Sequence, residues 1–399
     1  MLKKLVLTHF LPFALACLFF WIWLVSLNFF HTNKPSETIL VEGKQLKISG
    51  YYANLGGGDQ TELDFMASLM NKEQLTIFGS SEFTDSPYCS YNFLPDSLGL
   101  QTLGVGHAFH QSFSILCELL AANKFVEGAN ICVVISSSWF HTYGTNTEAF
   151  IEFVIPRFLD KIATDNTLES KYKIAVGKYI HEHKNEFTNL SNSMLLLVDE
   201  YYLSEPTNLN FFKAKLRKML LKNHGNIFPV QSTEYLTSLK YIESKTWNTD
   251  RKKFLNELQE NFISSNTTNS IYVNDQYFLD WVIDENGAET KGEIAEINLE
   301  QNQELEDFKL LVDFLTSRSA KCSFIIQPMN PYYYQFTERN IPLVDTLTRI
   351  FDENKIPYLN LYANTKADYD PATLKDIMHL GDYGWMKINY FLDSLYNEH

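Results

Sequence analysis

The sequence predicts an α/β fold: a parallel sheet with helices on both faces, a long helical insertion and one N-terminal transmembrane helix. Three observations lead there. Short apolar runs of β-branched character alternate with segments of helical apolar spacing in two blocks of the chain. Between the blocks, residues 145 to about 300 keep helical periodicity with few strand signals. At the N-terminus an uncharged apolar run is long enough to cross a bilayer. The composition, 399 residues with 45% hydrophobic and 20% charged, suits a protein with a sizeable core.

The N-terminal run extends from Leu5 to Phe30 without Asp, Glu, Lys or Arg. A cleavable signal peptide would have a shorter apolar region and a small-x-small cleavage site, whereas Ser26-Leu27-Asn28-Phe29-Phe30 is bulky. Residues 1–31 are therefore expected to be an uncleaved single-pass anchor in the cell membrane. Lys3 and Lys4 precede the span and no basic cluster follows it, which puts the C-terminal body outside the cytoplasm. Residues 32–70 read as a stalk and lead-in, with "NLGGGDQ" as a flexible break. Residues 71–399 read as one domain, with the helical insertion inside it.

The first β/α block contains "QLTIF", the turn Gly79-Ser80-Ser81-Glu82, the helix "HQSFSILCELLAANKF" and the strand "NICVVIS". The second contains the helix "ELEDFKLLVDFLTSR", the strand "CSFIIQP", the helix "PLVDTLTRIFDENK", the strand "PYLNLY" and a final helix, "WMKINYFLDSLY". In such sheets, sites form at the carboxyl ends of the strands.

The net charge is -15, and since Lys3 and Lys4 are the only charged side chains before residue 32, the acidic body argues against nucleic acid as a partner. Of five cysteines, Cys17 falls in the span. Cys132 and Cys322 sit in apolar strand-like runs as expected buried thiols, and no pair has zinc spacing. His181-Glu182-His183 does not match a metal motif, since helix residues two apart do not share a face. His107 and His110 are three apart, but a metal needs a further ligand that the sequence does not locate. No metal and no cofactor is expected. Tyr332-Tyr333-Tyr334 reads as wall packing, with a sugar platform as the alternative, and Glu82 as a residue that orients the turn or caps a helix N-terminus. Asn210 to His224 is the one basic amphipathic stretch.

Acyl chemistry needs a hydroxyl at a tight turn, an imidazole to take its proton and a carboxylate to orient the imidazole. Ser81 just past a strand supplies the first, with Ser80 as the alternative one residue away. Asp376-Ile377-Met378-His379 supplies the other two at a spacing that lets the carboxylate reach Nδ1 locally. A glycine N–H can hold the oxyanion where no side chain blocks close approach; Gly106 is the candidate, beside the N–H of Ser81.

The order of these motifs resembles the SGNH (GDSL-type) hydrolase superfamily, in which a strand runs into G-D-S and D-x-x-H lies near the C-terminus. "IFGSSEF", "GHAFHQS", "ISSSWF", "QPMNPYYY" and above all "DIMHLGDYGW" resemble more specifically the DltD family of D-alanyl-lipoteichoic acid biosynthesis proteins. The resemblance implies a three-layer SGNH-hydrolase, flavodoxin-like parallel sheet with Ser81, Asp376 and His379 as the triad. It implies Gly79, Ser80, Gly106, Gln111, Ser138 and Asn330 as oxyanion or site-lining residues. Ser138 stands where the family tends to place an amide, and the superfamily's oxyanion asparagine has no clear equivalent. The implied activity is transfer of D-alanyl groups to a cell-surface polymer. The implied partners are a polytopic membrane acyltransferase and an aminoacyl carrier protein. An O-acetyltransferase or deacetylase of an exported polysaccharide would use the same triad, and a non-catalytic assembly subunit would keep only the fold.

Overall fold

A computed structural model describes the chain from residue 73 to 186 with short gaps, from 250 to 396, and in a few short pieces before residue 73. The predicted anchor, residues 1–31, lies outside the described residues, as does the basic stretch Asn210 to His224. Among the described residues no helix is long and apolar enough to cross a membrane.

Six parallel strands form the central sheet among the described residues: β1 (Gly50–Tyr52), β2 (Leu75–Gly79), β3 (Thr102–Gly106), β4 (Asn130–Ile135), β5 (Lys321–Ile326) and β6 (Tyr358–Asn360). Their order across the sheet is β6-β5-β4-β2-β3-β1. The inner strands "LTIFG" and "NICVVI" are buried at every position, as expected of parallel strands covered on both faces. The stretch expected to be stalk contributes the edge strand β1, which pairs through Gly50–Leu103 and Tyr52–Val105.

Side-chain alternation divides the core into two layers. Phe78, Val105, Val133, Ile135, Phe324 and Ile326 point to one side. There they meet α1 (Ser112–Ala121), α4 (Gln303–Ser317) and α5 (Ile341–Asn354) through residues such as Leu116, Phe308 and Leu347. Leu75, Ile77, Cys132, Val134 and Ile325 point to the other side, against Trp385, Ile388 and Leu392 of α6 (Asp382–Tyr396). Cys132 and Cys322 are buried thiols, as their runs predict.

The expected insertion contains α2 (Ser170–Glu182) and α3 (Arg251–Asn266). After α3 the helical expectation fails. Residues 267–298 are mainly turns, with one π-helical turn at Phe278–Val282 and a short strand, Gly292–Glu293, beside Tyr334–Gln335. The reason is local: Asn269 accepts from the N–H groups of Ile271 and Val273, and Asp284 from those of Asn286 and Ala288. Such side-chain to backbone bonds replace helical ones.

The chain leaves β2 for β3 on one side and then crosses back over β2 to β4. The carboxyl ends of β2 and β4 therefore flank a topological switch point, where open α/β sheets form their ligand crevices. Ser81 follows β2 there, and Ser136 to Ser138 follow β4.

Candidate active site

β2 ends at Gly79, and the next two serines are turned in opposite directions. Ser80 is buried: its hydroxyl donates to the His107 carbonyl at 3.2 Å and accepts from the His110 N–H at 3.2 Å. The Ser80 N–H donates to the Glu82 carboxylate, which fixes the turn from inside. Ser81 is exposed and faces a cleft of about 1110 Å³.

The histidine arrives from a loop closed by its own backbone. The Lys375 N–H donates to the His379 carbonyl at 2.9 Å, and the Gly381 N–H to the Thr373 carbonyl at 2.9 Å. Within this loop Asp376 Oδ1 accepts from the N–H groups of Met378 (2.8 Å) and His379 (2.7 Å). Its Oδ2 lies 2.8 Å from His379 Nδ1, and His379 Nε2 lies 2.9 Å from Ser81 Oγ. A carboxylate only accepts, so Nδ1 carries a proton, and the neutral imidazole in that tautomer offers its Nε2 lone pair to the serine hydroxyl. Burial pushes the Asp376 carboxyl upward. The hydrogen bond and charge of His379, with the two N–H groups, outweigh that and hold it below the usual carboxylate range. Glu82 goes the other way, because burial raises it against weaker opposing bonds.

The remaining predicted residues divide. Gln111 and Ser138 line the cleft; Gln111 Oε1 accepts from the Asn146 N–H at 2.7 Å, and Ser138 Oγ lies 2.7 Å from Ser136 Oγ. Gly106 pairs with Gly79 at the strand ends and is not part of the cleft wall; a Cβ there would come within 2.2 Å of the Gly79 carbonyl oxygen. Glycine is thus required at 106 for close strand approach. Asn330 is fully buried away from the cleft, where its amide donates to the Ile271 carbonyl at 2.7 Å and accepts from the Tyr332 N–H at 2.9 Å.

The DltD protein family matches the chain over residues 60–397, which includes both the Ser81 turn and the Asp376–His379 loop. The chain belongs to the DltD family. Protein DltD of Bacillus subtilis (strain 168) is 21% identical over 343 residues, covering 82% of this chain and 83% of its own length.

Beyond Ser81, His379 and Asp376, this family member lines its cleft with groups that its motifs do not announce. Phe109 stands 58% exposed at the mouth with φ of 61°, a left-handed conformation rare for a bulky side chain. At the far end, α4 contributes Gln303, Glu306 and Asp307, and α2 contributes Lys178, Tyr179 and Glu182. Burial pushes the Asp307 carboxyl up to about 7, and that of its neighbour Glu304 up to about 8. Glu304 accepts from the Ser112 N–H at 2.9 Å, at the start of α1. Their signal was legible: in "ELEDFKLL" both acids fall on the apolar face that the helix period directs inward.

Of the remaining histidines, His183 lies 3.1 Å from Glu186 at the outer wall of the cleft. Burial, with the His110 ring beside it, pushes the His107 imidazole down to about 3. Tyr332 packs edge-on against Tyr272 and Tyr369, outside the cleft.

Proposed function

We propose that this DltD-family protein is a membrane-anchored, extracytoplasmic serine acyltransferase or esterase that transfers D-alanyl groups to a teichoic-acid-like or other cell-surface polymer. The observation that carries this reading is the continuous relay from Ser81 through His379 to Asp376, with contacts of 2.9 and 2.8 Å. Ser81 Oγ attacks the carbonyl carbon of an activated acyl donor while His379 Nε2 takes its proton. Asp376 holds the imidazole in position and stabilises the imidazolium. The Ser81 N–H and the Ser138 hydroxyl are the donors we assign to the developing oxyanion, while Gln111, whose amide donates to the Trp139 and Gly144 carbonyls at 3.4 Å, holds the cleft wall. The imidazolium then protonates the leaving group. In the second half, His379 deprotonates an acceptor hydroxyl, which attacks the acyl-Ser81 ester and frees the serine. Strand order supports the SGNH-like reading, since β3-β2-β4-β5-β6 follows the 2-1-3-4-5 order of flavodoxin-like sheets.

Electrostatics favour an aminoacyl over an acetyl group. Among the described residues the cleft wall holds Glu182 and Glu306, with Glu82 and Asp307 raised by burial, against the single lysine Lys178, a setting that attracts the ammonium of an alanyl ester. In this reading residues 1–31 tether the domain, and a polytopic membrane acyltransferase and an aminoacyl carrier protein supply the activated group.

The test is covalent trapping. A fluorophosphonate should label wild-type protein and not Ser81→Ala, and intact mass after incubation with a D-alanyl thioester should show an alanyl adduct on the same residue. An acetyl adduct from an acetyl donor, with none from the alanyl donor, would move the assignment to O-acetyl chemistry. No label with either reagent would leave a non-catalytic assembly role.

A further inference from the structure

Behind the Ser81 turn lies a second polar cluster that the relay does not use. His107 and His110 follow β3, and Glu118 projects from α1 towards them. All three residues are buried, and one ligand atom from each lies within 4.8 Å of the others. The two imidazole rings are 4.4 Å apart at 31°, and His110 Nε2 is 3.5 Å from Glu118 Oε1.

The tautomers follow from the backbone. His107 Nδ1 is 2.8 Å from the Ala108 carbonyl, and His110 Nδ1 is 3.0 Å from the Gly79 carbonyl. A carbonyl only accepts, so both Nδ1 atoms carry hydrogen and each neutral ring is left with its lone pair on Nε2. Histidines that ligate metals are oriented in this way, by donating the other ring N–H to a carbonyl or carboxylate. His110 Nε2 and Glu118 Oε2 have no hydrogen-bond partner among the described residues. Lone pairs facing a buried carboxylate repel it unless a positive charge lies between them. A proton on His110 would answer that pair alone, whereas a cation engages both rings and the carboxylate.

We propose that His107 Nε2, His110 Nε2 and Glu118 form a three-ligand site for a divalent transition ion of the zinc class. Two imidazoles and one carboxylate match that class and not calcium or magnesium, which take oxygen ligands. The 3.5 Å between His110 Nε2 and Glu118 Oε1 is close to the edge of a tetrahedron with metal–ligand bonds of roughly 2.0–2.2 Å. The ion would act as a brace. It polarises His110 and strengthens its Nδ1–H bond to Gly79, the residue that ends β2, while the His107 carbonyl holds the Ser80 hydroxyl. Sequence alone could not find this site, because the third ligand comes from inside a helix whose orientation only the packing of α1 decides.

The experiment uses the full chain purified in detergent, stripped with a chelator and titrated with Zn²⁺ by calorimetry and with Co²⁺ by visible absorption. One tightly bound equivalent is expected, with the Co²⁺ bands of a low-coordinate site and a melting temperature raised by Zn²⁺. Glu118→Gln and His110→Gln should each weaken Zn²⁺ binding at least about tenfold, while His183→Gln on the surface should leave it unchanged. Absence of stoichiometric binding to the native chain overturns the proposal whatever the variants do. So does equal affinity in folded Glu118→Gln and wild-type protein.

Discussion

Phe83 lies nearly face to face with Trp385, with ring centroids 5.8 Å apart and planes 20° from parallel. One ring belongs to the turn that presents Ser81 and the other to the helix that follows His379. Ser86 Oγ also donates to Asp382 at 2.6 Å, and Ser90 Oγ to Asn389 at 2.6 Å. Trp385 is fully buried, so Trp385→Ala is expected to cost about 3–5 kcal/mol in denaturant unfolding. Phe83→Ala should cost less. A double-mutant cycle should return a coupling of about 0.5–1.5 kcal/mol between the two rings.

The two serines should separate cleanly. Ser81→Ala is expected to lower acyl transfer by at least about 10³-fold with unchanged stability, because its side chain is exposed and, among the described residues, bonded only to His379. Ser80→Ala should instead destabilise by about 1–3 kcal/mol, since it strips a buried acceptor and donor of their partner. It should keep fluorophosphonate labelling. Activity assays paired with urea melts distinguish the two patterns.

Asp376→Asn keeps the shape of the loop but offers His379 Nδ1 an amide in place of a carboxylate. The expected loss in kcat is about 10³–10⁴-fold, with KM little changed. Steady-state kinetics would show a KM effect instead if Asp376 only held the loop.

Stability should fall as pH rises through neutrality. Burial moves Glu304 from 4.5 to about 8, so between those values the folded chain holds a proton that the unfolded chain releases. A raised carboxyl therefore costs stability across that window, by up to about 1.4 kcal/mol per pH unit. Asp307 adds the same sign between 3.8 and about 7. Glu304→Gln should flatten the slope of unfolding free energy measured from pH 5 to 8. Asp376 acts oppositely: its depressed carboxyl stabilises above 3.8, and that gain is lost as pH falls through its folded value.

Gly384 sits one residue before Trp385, where a Cβ would meet the Thr373 carbonyl oxygen at 2.3 Å. Gly384→Ala must push the α6 start away from the loop that closes on His379. The expected cost is about 1–3 kcal/mol in stability, with a disproportionate loss of acyl transfer. A normal rate in a destabilised Gly384→Ala protein would show the loop to be independent of the helix.

What the sequence by itself determined is what short spacings encode. Asp376 and His379 meet because three residues of loop bring a carboxylate to Nδ1, and the alternation of apolar runs dictates a parallel sheet with helices on both faces. Tertiary structure decided what depends on distant packing. Ser80 and Ser81 are equivalent as letters, but the carbonyl of His107 and the N–H of His110 draw one inward, leaving the other for a histidine 298 residues away. Gly106 and Asn330 carry family-like motifs, yet strand register and the turn at Ile271 direct them away from the cleft. Residues 267–298 keep helical letters but lose the helix to Asn and Asp side chains that capture the backbone. Side-chain direction at a strand end is set by the neighbouring strand and helix, and no local spacing contains that information.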